Sequence, residues 1–212
     1  MFNMPPAMLI ANVFVLVIAF TAHELAHAWT ADYFGDSTPR LSGRLTLNPL
    51  AHLDPIGSLM LIVAGFGWAK PTPIDPWVLR RHSRSAPMWV SFAGPLSNLA
   101  MAILAAIPFR LGLLIPQFPE GLLPNLNQIF TQFVFINLIL AFFNLIPIPP
   151  LDGDQIAEFF FPPSWLNVLD RIRPYGPVVL LVLVFVLPMI GIDLLHWIIF
   201  LPAINLTRLL IA

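Results

Sequence analysis

The stretch MLIANVFVLVIAFTAHELAHAWT, residues 8–30, decides how this chain is read. A membrane-spanning helix needs roughly 20 predominantly apolar residues, and this run supplies them. Its first two thirds are almost purely aliphatic; its last third is polar on one side and carries His23, Glu24 and His27. Residues four apart share one face of a helix, about one turn along. Two imidazoles so placed can reach one divalent ion, and the glutamate beside the first can act as general base on an attacking water. Ionisable groups inside a span are costly and by default functional. The bland alternative is a pair of buried histidines bonded to neighbouring helices, with Glu24 paired to an arginine.

The composition agrees with a lipid solvent. The chain has 212 residues, 58% apolar and 10% charged, with mean hydropathy +0.84. Soluble domains carry about 25% charged residues. The net charge of −1 gives no reason to expect nucleic acid, and the absence of cysteine removes disulfides, thiolate ligands and a cysteine nucleophile. The length suits a single integral-membrane domain, 1–212. Residues 1–7 lack the charged start of a signal peptide and no small-residue cleavage site follows, so the first apolar run reads as a retained helix.

Further spans are expected at 86–114 and 126–148, and two shorter ones at 175–187 and 194–210, broken by Pro188, Gly191 and Asp193. The fold class is therefore all-α membrane, a polytopic bundle of about five to six transmembrane helices. Residues 55–68 form an apolar run too short to span, ending in Gly65, Phe66 and Gly67 and followed by the proline-spaced AKPTPIDP. A re-entrant or β-hairpin segment near 55–76 is expected. Arg40 and Arg44 precede it; Lys70, Arg80, Arg81 and Arg84 follow it. If the segment is re-entrant, these charges share one face, which the positive-inside rule makes cytoplasmic. That layout predicts the N-terminus outside, five spans, the C-terminus inside, and the His23/His27 site toward the cytoplasmic side.

A catalytic zinc usually takes three protein ligands. Asp152 is the best-placed third group, because the span before it runs toward the same face as His23 and His27. It closes FFNLIPIPPLDGD, residues 142–154, where prolines forbid regular helix and Gly153 permits close approach. Asp154 competes as ligand or helix cap. His52 and Asp54 are either metal ligands or loop and capping residues, His82 belongs to a headgroup-facing basic run, and His196 suits a packing or interfacial role. In AGPLSN, residues 93–98, Gly94 permits close packing, and Asn98 is either a substrate or oxyanion contact or an interhelical bond. Asn144 carries the same two readings.

HELAH at 23–27, AGPLSN at 93–98 and NLIPIPPLDGD at 144–154, in that order, resemble the site-2 protease family of intramembrane zinc metalloproteases, in its minimal type without a PDZ or CBS domain. The resemblance covers a catalytic core of about residues 8–158, leaving a C-terminal helical pair at about 175–211. It implies one Zn2+ per chain on His23, His27 and Asp152, and Glu24 as the base. It also implies metalloendopeptidase activity on transmembrane segments of other membrane proteins, as in regulated intramembrane proteolysis. The partners would be such substrates and the lipid bilayer, in a multi-pass cell-membrane protein of prokaryotic type. The proline-spaced segment 69–76 offers an edge on which a substrate strand can add. Two rivals come from other classes. A metal transporter would spread exchangeable ligands along a path, and a catalytically silent scaffold for membrane helices would have no need of Glu24.

Overall fold

The structure is a computed structural model that describes residues 5–64 and 67–212. It is helical, and no strand occurs among the described residues. Four helices are long and apolar enough to cross a membrane: Pro6–Tyr33, Ala86–Arg110, Leu126–Asn144 and Ser164–Met189. A shorter apolar helix, His196–Ile211, follows. This is the all-α membrane bundle that the hydropathy pattern predicts.

The first long helix is α1, Pro6–Tyr33. After it come α2, Thr38–Leu41, α3, Pro55–Ala64, and α4, Pro76–His82. The second and third long helices are α5, Ala86–Arg110, and α6, Leu126–Asn144. In α1 the buried positions Ala7, Ala11, Val15, Ala19, His23, His27 and Ala31 fall at every fourth residue. In α5 the positions Ala86, Val90, Gly94, Asn98, Ala102 and Ala106 do the same. Lipid provides no hydrophobic drive between helices, so association rests on close packing and interhelical hydrogen bonds, which small side chains at fourfold spacing permit. The two stripes face each other, and the histidines are part of the α1 stripe. Towards its C-terminal end α5 also packs Ala102, Ala105, Ala106 and Phe109 against Val134 and Leu138 of α6. A partly buried bond from Gln132 Nε2 to Asn12 Oδ1, 2.7 Å, ties α6 to α1.

The 55–76 region resolves into a short helix and a strap. The hairpin expectation reduces to one antiparallel bridge, Leu53 with Ala69, on either side of α3; Gly65 and Phe66 lie outside the described residues. The strap that follows is bolted down. Lys70 N donates to His52 O at 2.7 Å. The buried Arg44 guanidinium donates to the Lys70 and Pro71 carbonyls at 2.9 and 3.0 Å, and Asp75 N donates to Asp36 Oδ2 at 2.6 Å.

Past Asn144 the prolines break the helix, with a cis bond between Pro149 and Pro150. The chain then re-enters helix as α7, Asp152–Phe160. A Cβ on Gly153 would land on the Ile146 carbonyl, so only glycine lets α7 start tight against the end of α6. The rest comprises α8, Pro163–Ile172, α9, Gly176–Leu181, a π-helical turn at Val182–Val186, α10, Leu187–Met189, a second π-turn at His196–Phe200, and α11, Leu201–Ile211.

Here the structure corrects the alternating topology. Arg173 bonds Asp154 and Glu158 of α7, and Gly176 lies against Pro149. Leu183 and Val184 pack on Ile146, Leu195 and Ile199, all at the Asn144 end of α6. From there the last helix runs to Leu210 and Ile211 beside Phe109 and Phe130, where Arg110 donates to the Leu209 and Leu210 carbonyls. It is therefore parallel to α5, and Ala212 emerges at the Arg110 end, not at the His27 end. The reason is length. The ion pairs of Arg173 hold the 164–175 part at the polar end, leaving Gly176–Met189, about 20 Å at 1.5 Å per residue, against a hydrocarbon core of roughly 30 Å. Before the turn at Gly191 this stretch stays at the Asn144 end of the bundle and does not reach the Arg110 end.

The cysteine-free chain makes this directly testable. Single substitutions Glu120→Cys and Ala212→Cys are expected to react with an impermeant thiol reagent from the same side of oriented vesicles, opposite to Arg81→Cys. Labelling of position 212 together with position 81 restores the alternating topology.

Candidate metal centre

Three side chains from two distant parts of the chain meet at the end of the α1 stripe. His27 Nε2 lies 3.0 Å from His23 Nε2. Asp152, the first residue of α7, sets Oδ2 3.2 Å from His23 Nε2 and Oδ1 3.3 Å from His27 Nε2. The histidines are buried and Asp152 is half-buried.

The other ring nitrogens define the chemistry. His27 Nδ1 is 2.7 Å from the Val90 carbonyl, which can only accept, so Nδ1 carries the proton. His23 Nδ1 is 2.6 Å from Asn98 Oδ1 and likewise donates. In the neutral rings both Nε2 atoms then carry lone pairs, and they face each other and a carboxylate whose Oδ2 has no hydrogen-bond partner. In that state no proton joins these atoms, and a cation satisfies all of them at once. The spacing fits. Tetrahedral zinc with bonds of about 2.0–2.1 Å places its ligand atoms about 3.3 Å apart; here the two Nε2 atoms are 3.0 Å apart, and each has one Asp152 oxygen near it, Oδ2 at 3.2 Å from His23 and Oδ1 at 3.3 Å from His27. Among the described residues this is the group of histidines and acids able to hold a metal ion.

Glu24 turns away from its histidine neighbours into the strap. Its Oε2 accepts from Thr72 N at 2.8 Å and Thr72 Oγ1 at 2.7 Å. Two donors on one oxygen fix its orientation. Nothing in the sequence signals this contact, because Thr72 sits in a loop whose path no periodicity defines.

The remaining candidates separate. Asn98 is fully buried with both ends of its amide taken, Oδ1 by His23 and Nδ2 by Asn137 Oδ1 at 2.9 Å. The expectation that it meets substrate or an oxyanion gives way to one in which it aims a ring. Asn144 Nδ2 donates to the Leu140 carbonyl one turn back at 3.0 Å, and no contact joins it to the metal-facing atoms. Asp154 pairs with Arg173 at 2.9 Å. His52 is buried and donates to the Thr46 carbonyl at 2.8 Å, while Asp54 accepts from Gly57 N at the start of α3. His82 stacks edge-on against Phe34, and His196 against Trp197.

Gly94 makes the arrangement possible. A Cβ there would fall on the His27 ring and on His23 Cε1, so α5 can approach the histidines this closely only without a side chain. Gly94→Ala is expected to push both rings off their acceptors. Overpacking of this kind costs about 1–3 kcal/mol, and purified protein should lose metal to a chelator that leaves the parent loaded. Equal metal retention in the two proteins removes this role of Gly94.

The chain also resembles known proteins. The model of peptidase family M50 matches residues 114–184. YwhC of Bacillus subtilis, named as a candidate zinc metalloprotease, is 45% identical over 181 residues, which cover 84% of this chain and 80% of the relative. Rip2 of Mycobacterium tuberculosis H37Rv, named in the same way, is 34% identical over 188 residues, covering 82% and 68%. Rip2 of Mycolicibacterium smegmatis is 32% identical over 188 residues, covering 81% and 67%. No solved structure matches the chain. A histidine pair one turn apart, a carboxylate brought in from the LDGD segment and close relatives along most of the chain lead to one assignment: this protein belongs to peptidase family M50, the site-2 protease family.

Proposed function

We propose that His23, His27 and Asp152 hold the catalytic zinc of this intramembrane metalloprotease, and that Glu24 is its general base. The observation that carries the assignment is the meeting of two Nε2 atoms 3.0 Å apart with a carboxylate within 3.3 Å of each. Bound zinc supplies Lewis-acid polarisation of the scissile carbonyl and of the attacking water. The chain's own groups do the rest. Val90 O and Asn98 Oδ1 hold the ring tautomers. Thr72 grips one oxygen of Glu24, and the carboxylate takes the water's proton and passes it to the leaving amine.

Substrates are membrane-embedded segments of other proteins, cut in regulated intramembrane proteolysis. Main-chain pairing of substrate along 69–76 has little to work with. From Lys70 to Asp75 the amides of Lys70, Thr72 and Asp75 already have partners, and Pro71 and Pro73 have none to give. Only the Ile74 amide remains in that stretch. The catalytic end faces the cytoplasm of a bacterial cell. Arg40, Arg44, Lys70, Arg80, Arg81, Arg84, Arg171 and Arg173 gather there, while Arg110 and Arg208 lie at the opposite end, as the positive-inside rule favours.

Glu24→Gln is expected to keep zinc and to lower hydrolysis of a membrane substrate by about 100-fold or more. Asp152→Ala is expected to lose both metal and activity. Parental cleavage by Glu24→Gln removes the glutamate from the mechanism, and parental zinc content in Asp152→Ala removes the third ligand.

A further inference from the structure

A run of buried amides leads from α6 through α5 to the first histidine. Asn137 Nδ2 donates to the Phe133 carbonyl, one turn back on α6, at 2.9 Å. Asn98 Nδ2 donates to Asn137 Oδ1 at 2.9 Å, and His23 Nδ1 meets Asn98 Oδ1 at 2.6 Å. Asn98 and Asn137 are wholly buried. Resting on the metal assignment above, we infer that Asn137, which touches neither metal nor substrate, is a positioning residue that sets the tautomer of His23 through Asn98 and so keeps its Nε2 available to zinc.

The direction of the relay follows from the chemistry of its end. A backbone carbonyl can only accept, so the Asn137 amide must turn its NH2 toward Phe133 O. That presents the Asn137 oxygen to α5. Asn98 must then give its NH2 to that oxygen and present its own oxygen to α1. An oxygen can only draw a proton from His23 Nδ1, which leaves Nε2 bare at the site. Three bonds, each fixing the next, carry the polarity of one peptide carbonyl across two helix interfaces. In lipid-buried surroundings a reversed amide leaves a donor facing a donor and an acceptor facing an acceptor, and each unpaired buried group costs about 1–3 kcal/mol.

The alternative tautomer shows what the relay prevents. With the proton on Nε2, His23 would point an N–H at His27 Nε2, 3.0 Å away, and at Asp152 Oδ2, 3.2 Å away. That arrangement satisfies the three groups without metal and closes the site to it. His27 needs no relay, because the Val90 carbonyl fixes it directly. Asn137 differs from an acidic orienting group in one respect: an amide cannot take a proton, so it holds the ring in one form without adding a charge to the bundle.

The test is a zinc affinity measured by chelator competition on detergent-purified protein, with the visible spectrum of the cobalt-substituted protein as a second readout. Loss of an outer-shell partner typically weakens metal binding about 10- to 100-fold. Asn137→Leu is expected to fall in that range and to alter the cobalt spectrum. Asn98→Leu should lose a similar factor, and the double variant no more than the single ones, because both break the same relay. Melting of the metal-free proteins monitors folding, and Asn137→Ala replaces Asn137→Leu if the latter does not accumulate. Parental zinc affinity and spectrum in the Asn137 variant, with Asp152→Ala losing zinc, reduce Asn137 to interhelical adhesion and overturn the relay. Additive losses in the double variant overturn it as well. Parental affinity in Asp152→Ala strikes instead at the metal assignment on which the relay rests.

Discussion

Two imidazole nitrogens lie 3.0 Å apart with a carboxylate against both inside a lipid-embedded bundle, and with Nδ1 of each ring committed elsewhere the three groups together call for a cation. Much of the architecture serves that convergence. Fourfold spacing puts His23 and His27 on the buried face of α1, and the same spacing on α5 puts Val90, Gly94 and Asn98 opposite them. Val90 and Asn98 each take one Nδ1 proton, and Gly94 between them gives the rings room. Asp152 arrives because prolines end α6 and Gly153 lets α7 restart against the Ile146 carbonyl.

Packing and chemistry are the same surface here. Helices in lipid gain little from hydrophobicity and associate through close contact and buried hydrogen bonds. The α1–α5 interface obtains close contact from alanine, valine and glycine, and hydrogen bonds from the groups that orient the histidines. A loss of the site therefore loosens the interface, and a loosening of the interface reaches the site.

How much of this was legible in the residues depended on whether local spacing or helix rotation carried the information. HELAH was legible because i and i+4 share a face whatever the helix packs against. Asp152 was legible as an acid in a proline-broken loop at the depth of the histidines. Asn98 was legible as polar in a span, but not its role. That role depends on Asn137, 39 residues away on another helix, and on rotations that no single helix encodes. Thr72 left no trace, since a strap held by Arg44, His52 and Asp36 follows a path set by partners scattered along the chain. The direction of the last helix was misread because hydropathy reports length and apolarity, while direction also depends on which end of the bundle the preceding segment is free to reach. Arg173, tied to Asp154, Glu158 and Asp170, denies that freedom.

That anchoring bears on how a water-consuming reaction proceeds within a bilayer. A cavity of about 530 Å³ lies where α4, α5, α7 and α8 meet, lined by Arg80, Arg84, Asp154, Glu158 and Arg173 among others. Asp154 and Glu158 belong to the helix that begins with Asp152, so the polar cavity and the metal-facing carboxylate share one short rigid element. Arg80 of α4 and Arg173 both grip Glu158. Charged groups in contact with water thus hold α7 from its outer end, while its first residue faces the two histidines. A helix of nine residues spans about 14 Å at 1.5 Å per residue, enough to join a wet, ionic surface to a site enclosed by apolar helices without placing an unpaired charge in lipid. The segment 164–189 is in this sense the counterpart of the site: packed at the catalytic end, it supplies the arginine that secures α7.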